Sequence, residues 1–424
     1  MRVTEPRQSP GPDTSRARWS WRDTAVVAGI VALGFGAASA LPRDHPDTGP
    51  AAPTYATEPV AYPVDIPGCA EVLPPPPPVT GSGWTMYGAS YGYGDPDFAW
   101  LTAPKATAMT DALRAALPTD ADVRFDAPRR MLLFQPIFRM NPDQLPEDVA
   151  PEDVSGVSES RGFLVRGEGS GTLRTAVRAG SGTPPDCVAG ALDERRTLAD
   201  GTVVDVLDSW FERGGVRTRT AGATAYTPDG SRVDVSVDDT DGDTHSGALP
   251  LTVDELARVA AEPGLRTTTT VPVGTPAARM GCGAAPDGSG APLDRADVER
   301  LNGALDAALV ALGPLPATPD RPLGSLELTG AGRTSVCTEV TLSGSGGESR
   351  LRVVIAPAPS ESRAAGEPRP DGTRVRTHRE YGTTHVTATR PSGTAVTVDL
   401  GGLGAVPTVD QVIALVTAPG LDLP

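Results

Sequence analysis

Positive charge is scarce in this sequence. Its 424 residues include 37 Lys and Arg against 53 Asp and Glu, for a net charge of −16. The residues up to Asp23 hold five Arg and three acids, so the remainder has 32 basic against 50 acidic residues, or −18. Such a body repels phosphate backbones, which argues against a nucleic-acid partner. Lys105 is the only lysine, a bias that we attribute to genome composition.

Cysteine and histidine are also few, with four of each. No two cysteines form a C-x-x-C pair and the histidines are scattered, which argues against a zinc cluster or a thioredoxin-like site. We therefore predict no metal and no cofactor. In an oxidising compartment the cysteines are expected to form structural disulfides, with three pairings open. The residues concerned are Cys69, Cys187, Cys282 and Cys337.

One uncharged stretch, TAVVAGIVALGFGAASALP, lies between Thr24 and Pro42. As a helix it just spans a hydrocarbon core of about 30 Å. Arginines precede it, so the positive-inside bias predicts a single-pass membrane anchor with the N-terminus inside and the body outside. The alternative is a signal peptide, because Ala38-Ser39-Ala40 fits a cleavage site after Ala40. Both alternatives predict that the bulk of the chain is exported.

The chain has room for two ordinary domains after this leader. Composition predicts a cytoplasmic tail over residues 1–23, the membrane segment over 24–42, a Pro-rich extended stalk over 43–80, a first extracytoplasmic domain over 81–265, a linker over 266–280 and a second domain over 281–424. Within each domain, apolar spacing predicts an opening helix, several strands and a closing helix. This order indicates an α+β fold in which antiparallel sheet packs against helices.

The predicted elements are distributed similarly in the two domains. Helical spacing is found over 105–117 in the first domain, and in the second over a segment that Asp294 caps and Gly313 ends. Strand signals in the first domain lie at 123–125, 131–138, 162–166, 172–177, 202–207, 216–220 and 232–237. Those in the second domain lie at 324–328, 335–342, 351–356, 375–378, 385–390 and 395–400.

The two domains end alike. Thr252 with Glu255, and Thr408 with Gln411, form helix-capping boxes at an offset of 156 residues (408 − 252), and Pro-Gly-Leu follows each. The preceding strands match at an offset of 163 and the Asp-Gly-Thr turns at 171, so the order is kept while loops change length. We predict an internal duplication. The repeat favours one bridge per domain, pairing Cys69 with Cys187 and Cys282 with Cys337.

This arrangement resembles uncharacterised membrane-anchored or exported proteins of actinobacteria. Their C-terminal parts carry Asp-Gly-Thr strand turns and a Thr-x-Asp helix that ends in Pro-Gly-Leu. The resemblance covers the two repeat endings, and it implies an extracytoplasmic compartment and a two-domain body. It carries over no catalytic residue.

A G-x-S-x-G pattern extends from Gly88 to Gly92. It matches the nucleophile elbow of hydrolases, in which Ser90 would be the nucleophile and His245 or His385 its base. The sequence after it does not favour the helix that an elbow requires.

An acidic loop in the first domain holds Asp238, Asp239, Asp241 and Asp243. It lacks the Gly and Glu that an EF-hand needs at its sixth and twelfth positions, so we interpret it as a solvated loop.

Aromatic residues make up only 4% of the chain. Six lie within a short part of the first domain, namely Trp84, Tyr87, Tyr91, Tyr93, Phe98 and Trp100. Exposed rings could stack on sugar or peptide ligands, which makes all of them except Phe98 candidates for ligand binding. Burial in the core is the favoured alternative.

These observations predict a non-enzymatic binding or interaction module of the cell envelope. Its predicted partners are the membrane, through residues 24–42, and an envelope protein or glycan. The alternative is a secreted or envelope hydrolase that uses Ser90.

Overall fold

The computed structural model describes residues 62–75, 88–90, 92–140, 156–180, 182–213, 215–241, 244–279, 281–282, 290–330, 332–344, 347–359 and 365–424. They belong to one compact unit, Ala56–Pro424. The predicted tail, membrane segment and most of the stalk lie outside these residues. Among the described helices, none is both long and apolar enough to cross a membrane.

The described residues of the first half form thirteen strands, most of which belong to one sheet. In chain order they are β1 (Val72–Leu73), β2 (Gly88–Ser90), β3 (Asp122–Val123), β4 (Phe138–Met140), β5 (Val157–Arg166), β6 (Gly169–Ala179), β7 (Cys187–Val188), β8 (Glu194–Thr197), β9 (Val203–Arg213), β10 (Val216–Tyr226), β11 (Ser231–Asp238), β12 (Thr240–Asp241) and β13 (Thr244–His245). The seven-stranded sheet has the order β3-β5-β6-β11-β10-β9-β8 and is antiparallel.

The second half contains β14 (Thr318–Pro319), β15 (Glu327–Thr329), β16 (Ser335–Gly344), β17 (Gly347–Pro357), β18 (Glu367–Pro368), β19 (Arg374–Glu380), β20 (Thr383–Thr389) and β21 (Thr394–Gly402). Their antiparallel sheet has the order β14-β16-β17-β21-β20-β19-β18, and β15 also pairs with β16. The two sheets therefore have the same strand order, position by position.

Helices cover one face of each sheet. They are α1 (Ala103–Ala116), α2 (Val253–Ala260), α3 (Arg295–Leu312) and α4 (Val409–Val416), with 3-10 helices at Pro96–Phe98, Pro128–Arg130 and Pro263–Leu265. α2 packs on β9, β10 and β11, and α4 packs on β20, β21 and α3. The covered face of each sheet is apolar at alternate positions, with Val233, Val235 and Val237 buried in one and Val396, Val398 and Leu400 in the other. The protein is thus α+β, with two sheet-rich parts.

Both predicted capping boxes are present. The Thr252 hydroxyl accepts the Glu255 amide N–H, and the Glu255 carboxylate accepts the Thr252 amide N–H at 2.9 Å. The Thr408 hydroxyl and the Gln411 side chain make the same reciprocal pair at the start of α4. Each box satisfies two backbone donors that the first helical turn leaves open, which explains why both helices begin where the sequence predicts.

The predicted strand over 131–138 is wrong for most of its length. Met131 makes only an isolated bridge to Gly162, and regular pairing begins at β4. Leu132 has a positive φ of 64°, which interrupts an extended strand. The apolar alternation is real, because Leu132 and Phe134 are fully buried, but it reflects an irregular segment packed on the core.

The two sheet-rich parts are in contact. Phe125, which follows β3 of the first sheet, packs against the hydrophobic core of the second part. The Arg295 guanidinium lies 4.7 Å from the centre of the Phe125 ring, and Arg333 donates to the Phe125 carbonyl at 3.4 Å.

Both predicted disulfides are formed. Cys69 is bonded to Cys187 and Cys282 to Cys337, with Cα atoms 6.1 and 6.0 Å apart. The bridges hold different parts of the two halves, since Cys187 lies in the short strand β7 and Cys337 within the long strand β16. Two disulfides and no free thiol in the described chain indicate an exported location.

Candidate functional site

The helix-free face of the second sheet carries a continuous polar row. Residues directly opposite one another on neighbouring strands place five side chains in line across β16, β17, β21, β20 and β19. In that order they are Glu339, Arg352, Asp399, His385 and His378. Strand alternation turns all five away from the buried valines, so the row faces outward.

A His–Asp pair lies at the centre of this row. The His385 Nδ1 atom is 2.7 Å from a carboxylate oxygen of Asp399. Because a carboxylate accepts hydrogen bonds, Nδ1 is the protonated nitrogen, which leaves Nε2 as the open atom of the ring. The His378 ring stacks on the other side, with ring centres 4.6 Å apart and planes 14° from parallel.

Arginines and acids border the pair. Arg352 approaches Asp399 at 3.8 Å, beyond hydrogen-bond distance, and Arg350 approaches Glu339 at 3.2 Å. A cavity of about 610 Å³ opens between these groups. Its remaining lining residues are Thr341, Glu348, Ser349, Thr383, Gly401 and Gly402. The site is therefore polar, of mixed charge and open to solvent.

The first sheet has no such row. The equivalent positions, which follow from the shared strand order and register, hold Arg161, Arg174, Ser236, Gly222 and Leu207. Histidine and carboxylate are both missing there, although the backbone arrangement is the same. The polar row is thus a feature of one sheet rather than of the fold.

The His–Asp pair has part of the geometry of a catalytic triad. A triad needs a nucleophile within hydrogen-bond reach of the free imidazole nitrogen. Within the described ranges, Asp399 is the only side chain hydrogen-bonded to His385. Ser349 lines the cavity, but strand alternation directs its side chain toward the opposite face with Leu351. The pair can orient a ring and bind a polar group, and it lacks a neighbouring nucleophile in this part of the chain.

Sequence reasoning missed this row. The alternation in β21 does predict that Asp399 lies on the face away from the buried valines. The outward orientation of each other member of the row can be predicted from its own strand in the same way. The row, however, joins strands that are far apart in sequence, so only the strand order brings Glu339 to the same line as His378.

The predicted aromatic site is only partly within the described residues. Tyr93, Phe98 and Trp100 pack against the core of the first part. The Tyr93 hydroxyl donates to the Phe134 carbonyl at 2.7 Å, and burial raises the pKa of Tyr93 to about 12. Trp84, Tyr87 and Tyr91 lie outside the described residues, so ligand binding by this group stays a prediction.

Ser90 ends β2, which pairs antiparallel with β4 in a two-stranded sheet. A nucleophile elbow requires a strand of a parallel sheet that turns directly into a helix. The next helical residues in the described chain are Pro96–Phe98, and α1 follows at Ala103. The two proposed bases have other contacts, His245 with Asp239 at 3.4 Å and His385 with Asp399.

The acidic loop is held by local bonds. Asp238 accepts the Thr240 amide N–H at 3.0 Å, the buried Asp239 accepts the Arg219 amide N–H at 3.1 Å, and Asp241 pairs with Arg124. Asp243 lies outside the described residues. The part of the chain that the structure describes contains no group of three or more His, Cys, Asp or Glu arranged for a metal.

Comparisons with protein-family models, with curated proteins and with solved structures each found no match to this chain. The arguments for function therefore depend on the site itself.

Proposed function

We propose that this protein is a non-enzymatic binding module of the cell envelope, and that the outer face of its second sheet holds a small polar ligand. The observation that carries the proposal is the row from Glu339 to His378, which crosses five strands and whose members from Glu339 to His385 line an open cavity. A rigid sheet orders these side chains before any ligand arrives, which lowers the entropic cost of binding.

The charges of the cavity favour a ligand that carries both an anionic and a cationic group. Arg350 is largely exposed, and Arg352 is only loosely paired with Asp399, so both guanidinium groups are available to a carboxylate. Glu348 is exposed at the rim and offers a partner for an ammonium group. A short peptide or an amino sugar joined to a carboxylate has this chemistry.

The absence of a neighbouring nucleophile supports binding over hydrolysis. Asp399 orients His385, and a base oriented in this way needs an attacking group before it can catalyse acyl transfer. The described surroundings of His385 supply cations, acids and threonine hydroxyls without a hydrogen bond to its ring.

The proposed location is the outer side of the cell membrane. The two disulfides support export, and the segment between Thr24 and Pro42 supports either a single-pass anchor or a signal peptide cleaved after Ala40.

Binding is tested with the zwitterionic dipeptide alanyl-alanine as probe, and with acetate and glucosamine as ligands of a single charge. We expect the dipeptide to raise the melting temperature more than either comparator. Arg352→Ala should weaken dipeptide binding by about tenfold or more, because it removes a charged hydrogen-bond partner. Calorimetric titration measures the dissociation constant.

Arg174→Ala is the matched control, since Arg174 occupies the equivalent position in the first sheet. It should leave the dissociation constant unchanged. The proposal fails if the dipeptide does not bind at millimolar concentration, or if both variants bind it like the unchanged protein.

Location is tested by cell fractionation, intact-mass measurement and thiol alkylation in an actinobacterial host. Full-length mass in the membrane fraction is expected for an anchor, and a mass that begins at Leu41 in the medium for a cleaved leader. Free thiols in the cytosol would contradict both.

A further inference from the structure

The hairpin of β9 and β10 is longer than its counterpart in the second sheet. Leu207 pairs with Gly222, and the equivalent pair is His378 with His385. Fourteen residues (208–221) connect the first pair and six (379–384) connect the second, so the first hairpin has eight more. Four extra residues in each strand extend it by about 13 Å. We name residues 208–221 the ribbon.

The ribbon is apolar on both faces near its tip. Trp210 and Phe211 are 43% and 48% exposed, and Val216 is exposed to a similar degree. Strand alternation puts Trp210 on the helix side of the sheet and Phe211 with Val216 on the other. The Arg217 guanidinium lies 4.2 Å from the Trp210 ring centre and bonds Glu212 at 3.2 Å, which holds the tryptophan in place.

The free edge of the ribbon offers backbone hydrogen bonds. β8 pairs with β9 only as far as Val206, and the Asp208 N–H is taken by the Asp193 carboxylate at 2.7 Å. The N–H and C=O groups of Trp210 and Glu212 point to the same side as the Asp208 N–H, since they follow it at intervals of two. No described residue pairs with them.

The second sheet shows the same edge in a protected form. There β18 pairs with β19 only as far as Val375, and the five residues beyond it, Arg376–Glu380, are all charged or polar. Short, charged edge strands resist pairing with other chains. The part of β19 beyond β18 is therefore polar throughout, whereas the part of β9 beyond β8, residues 207–213, is two residues longer and adds Trp210 and Phe211.

We propose that the ribbon pairs with the ribbon of a second copy of this chain, so that β9 of each copy forms an antiparallel ladder across a two-fold axis. Membrane insertion is a poorer fit, because lipid cannot satisfy the open N–H and C=O groups of the edge. A second copy satisfies them on both sides at once.

One register suits this pairing. With Phe211 opposite Phe211 of the second copy, Trp210 and Glu212 exchange both backbone hydrogen bonds across the axis, and the two phenylalanines form a close, non-hydrogen-bonded pair. Centring on Trp210 instead would place Asp208 opposite Glu212 on the same face, which is repulsive.

The charge distribution also permits self-association. Residues 208–219 carry three Arg against Asp208 and Glu212, for a net charge of +1 in a chain of −16. Overlapping ribbons keep the two Leu207 residues about 26 Å apart, well beyond the screening length of about 8 Å at physiological salt. The acidic bodies therefore repel each other weakly at that salt, whereas at low salt the screening length rises to about 30 Å and the repulsion should weaken the dimer.

Sedimentation equilibrium of the full-length chain tests the proposal. We expect a concentration-dependent dimer whose dissociation constant falls as sodium chloride rises. A variant that lacks residues 210–213 and 216–219, and so retains the hairpin length of the second sheet, should be monomeric over the same range. Circular dichroism checks that this variant is folded.

Cross-linking tests the register. In Phe211→Cys, a short bis-maleimide should join two copies covalently, whereas Tyr381→Cys should not be cross-linked. Tyr381 is the matched control because it is 99% exposed at the tip of the equivalent hairpin. The proposal is overturned if the unchanged chain is a monomer at every concentration and salt, or if both cysteine variants cross-link at the same rate.

Discussion

At the scale of single residues, the only lysine of the chain, Lys105, has a structural role. The lone lysine is 3% exposed in α1, and its ammonium group donates at 2.8 Å to the Arg266 carbonyl and also to the Thr269 carbonyl. The linker predicted over 266–280 is thereby held, in its described residues 266–279, against the first part of the protein, and Ser231 binds Thr267 as well. Burial lowers the pKa of Lys105 to about 8.

This buried lysine predicts a pH dependence of stability. Between pH 8 and 10.5 the unfolded chain holds a proton on Lys105 that the folded chain has released, so the free energy of unfolding should rise with pH there. The rise is at most about 1.4 kcal/mol per pH unit. Lys105→Met should remove this increment, as measured by urea unfolding at several pH values.

Arg114→Met is the control, because Arg114 is an exposed residue of the same helix that stays charged throughout this range. Equal pH slopes for Lys105→Met and the unchanged protein would contradict the assignment.

At the scale of elements, the two closing helices share a cap but differ in what supports it. Glu255 in the α2 box also accepts a hydrogen bond from Arg166 at 2.8 Å, and Arg166 in turn contacts Asp120 at 2.9 Å. Gln411 in the α4 box bonds Thr408. Burial would raise the pKa of Glu255, but hydrogen bonds from Thr252 and Arg166 outweigh it and lower the pKa.

This difference predicts that truncating the two capping side chains lowers the free energy of unfolding by unequal amounts. Gln411→Ala should lower the free energy of unfolding by about 1 kcal/mol, the usual worth of a cap. Glu255→Ala should cost about 2 to 3 kcal/mol, because it also leaves Arg166 without a charged partner. Denaturant unfolding at neutral pH measures both.

At acidic pH the two variants should differ less in their free energy of unfolding. The folded pKa of Glu255 lies below its usual 4.5, so its contribution is complete above that pH and is lost as the pH falls through the folded pKa. If the difference in the free energy of unfolding persists at pH 2, or if the two variants are equally destabilised at neutral pH, the contact between Arg166 and Glu255 does not stabilise the helix.

At the scale of the whole molecule, the two sheets are joined by Phe125 as well as by the chain. Its ring lies between the core of the second part and the Arg295 guanidinium. The contact couples the stability of the two halves, since neither can unfold without exposing it.

Phe125→Ala should therefore lower the free energy of unfolding by about 2 kcal/mol, less than for a fully buried phenylalanine. It should also split the single calorimetric unfolding transition into two. Tyr381→Ala, which removes an exposed aromatic ring at the tip of a hairpin, should leave the transition intact. A single sharp transition in Phe125→Ala would indicate that other contacts couple the halves.

Elements with local signals could be predicted from the sequence. Capping depends on residues three apart, so Thr252 and Thr408 were sufficient to predict where α2 and α4 begin. Strand alternation likewise predicted the buried face of β11 and β21, and the repeated order of these signals led to the correct disulfide pairing. The strand over 131–138 failed because burial of an irregular segment produces the same apolar alternation.

Features that join distant strands depend on the strand order and could not be predicted from local patterns. Glu339 and His378 share a row because β17, β21 and β20 lie between their strands, an order that no local pattern contains. The burial of Lys105 depends on two carbonyls more than 160 residues away. The ribbon became visible only when the registers of two equivalent hairpins could be compared, since hydrogen-bond register is a property of strand pairs and not of either strand alone.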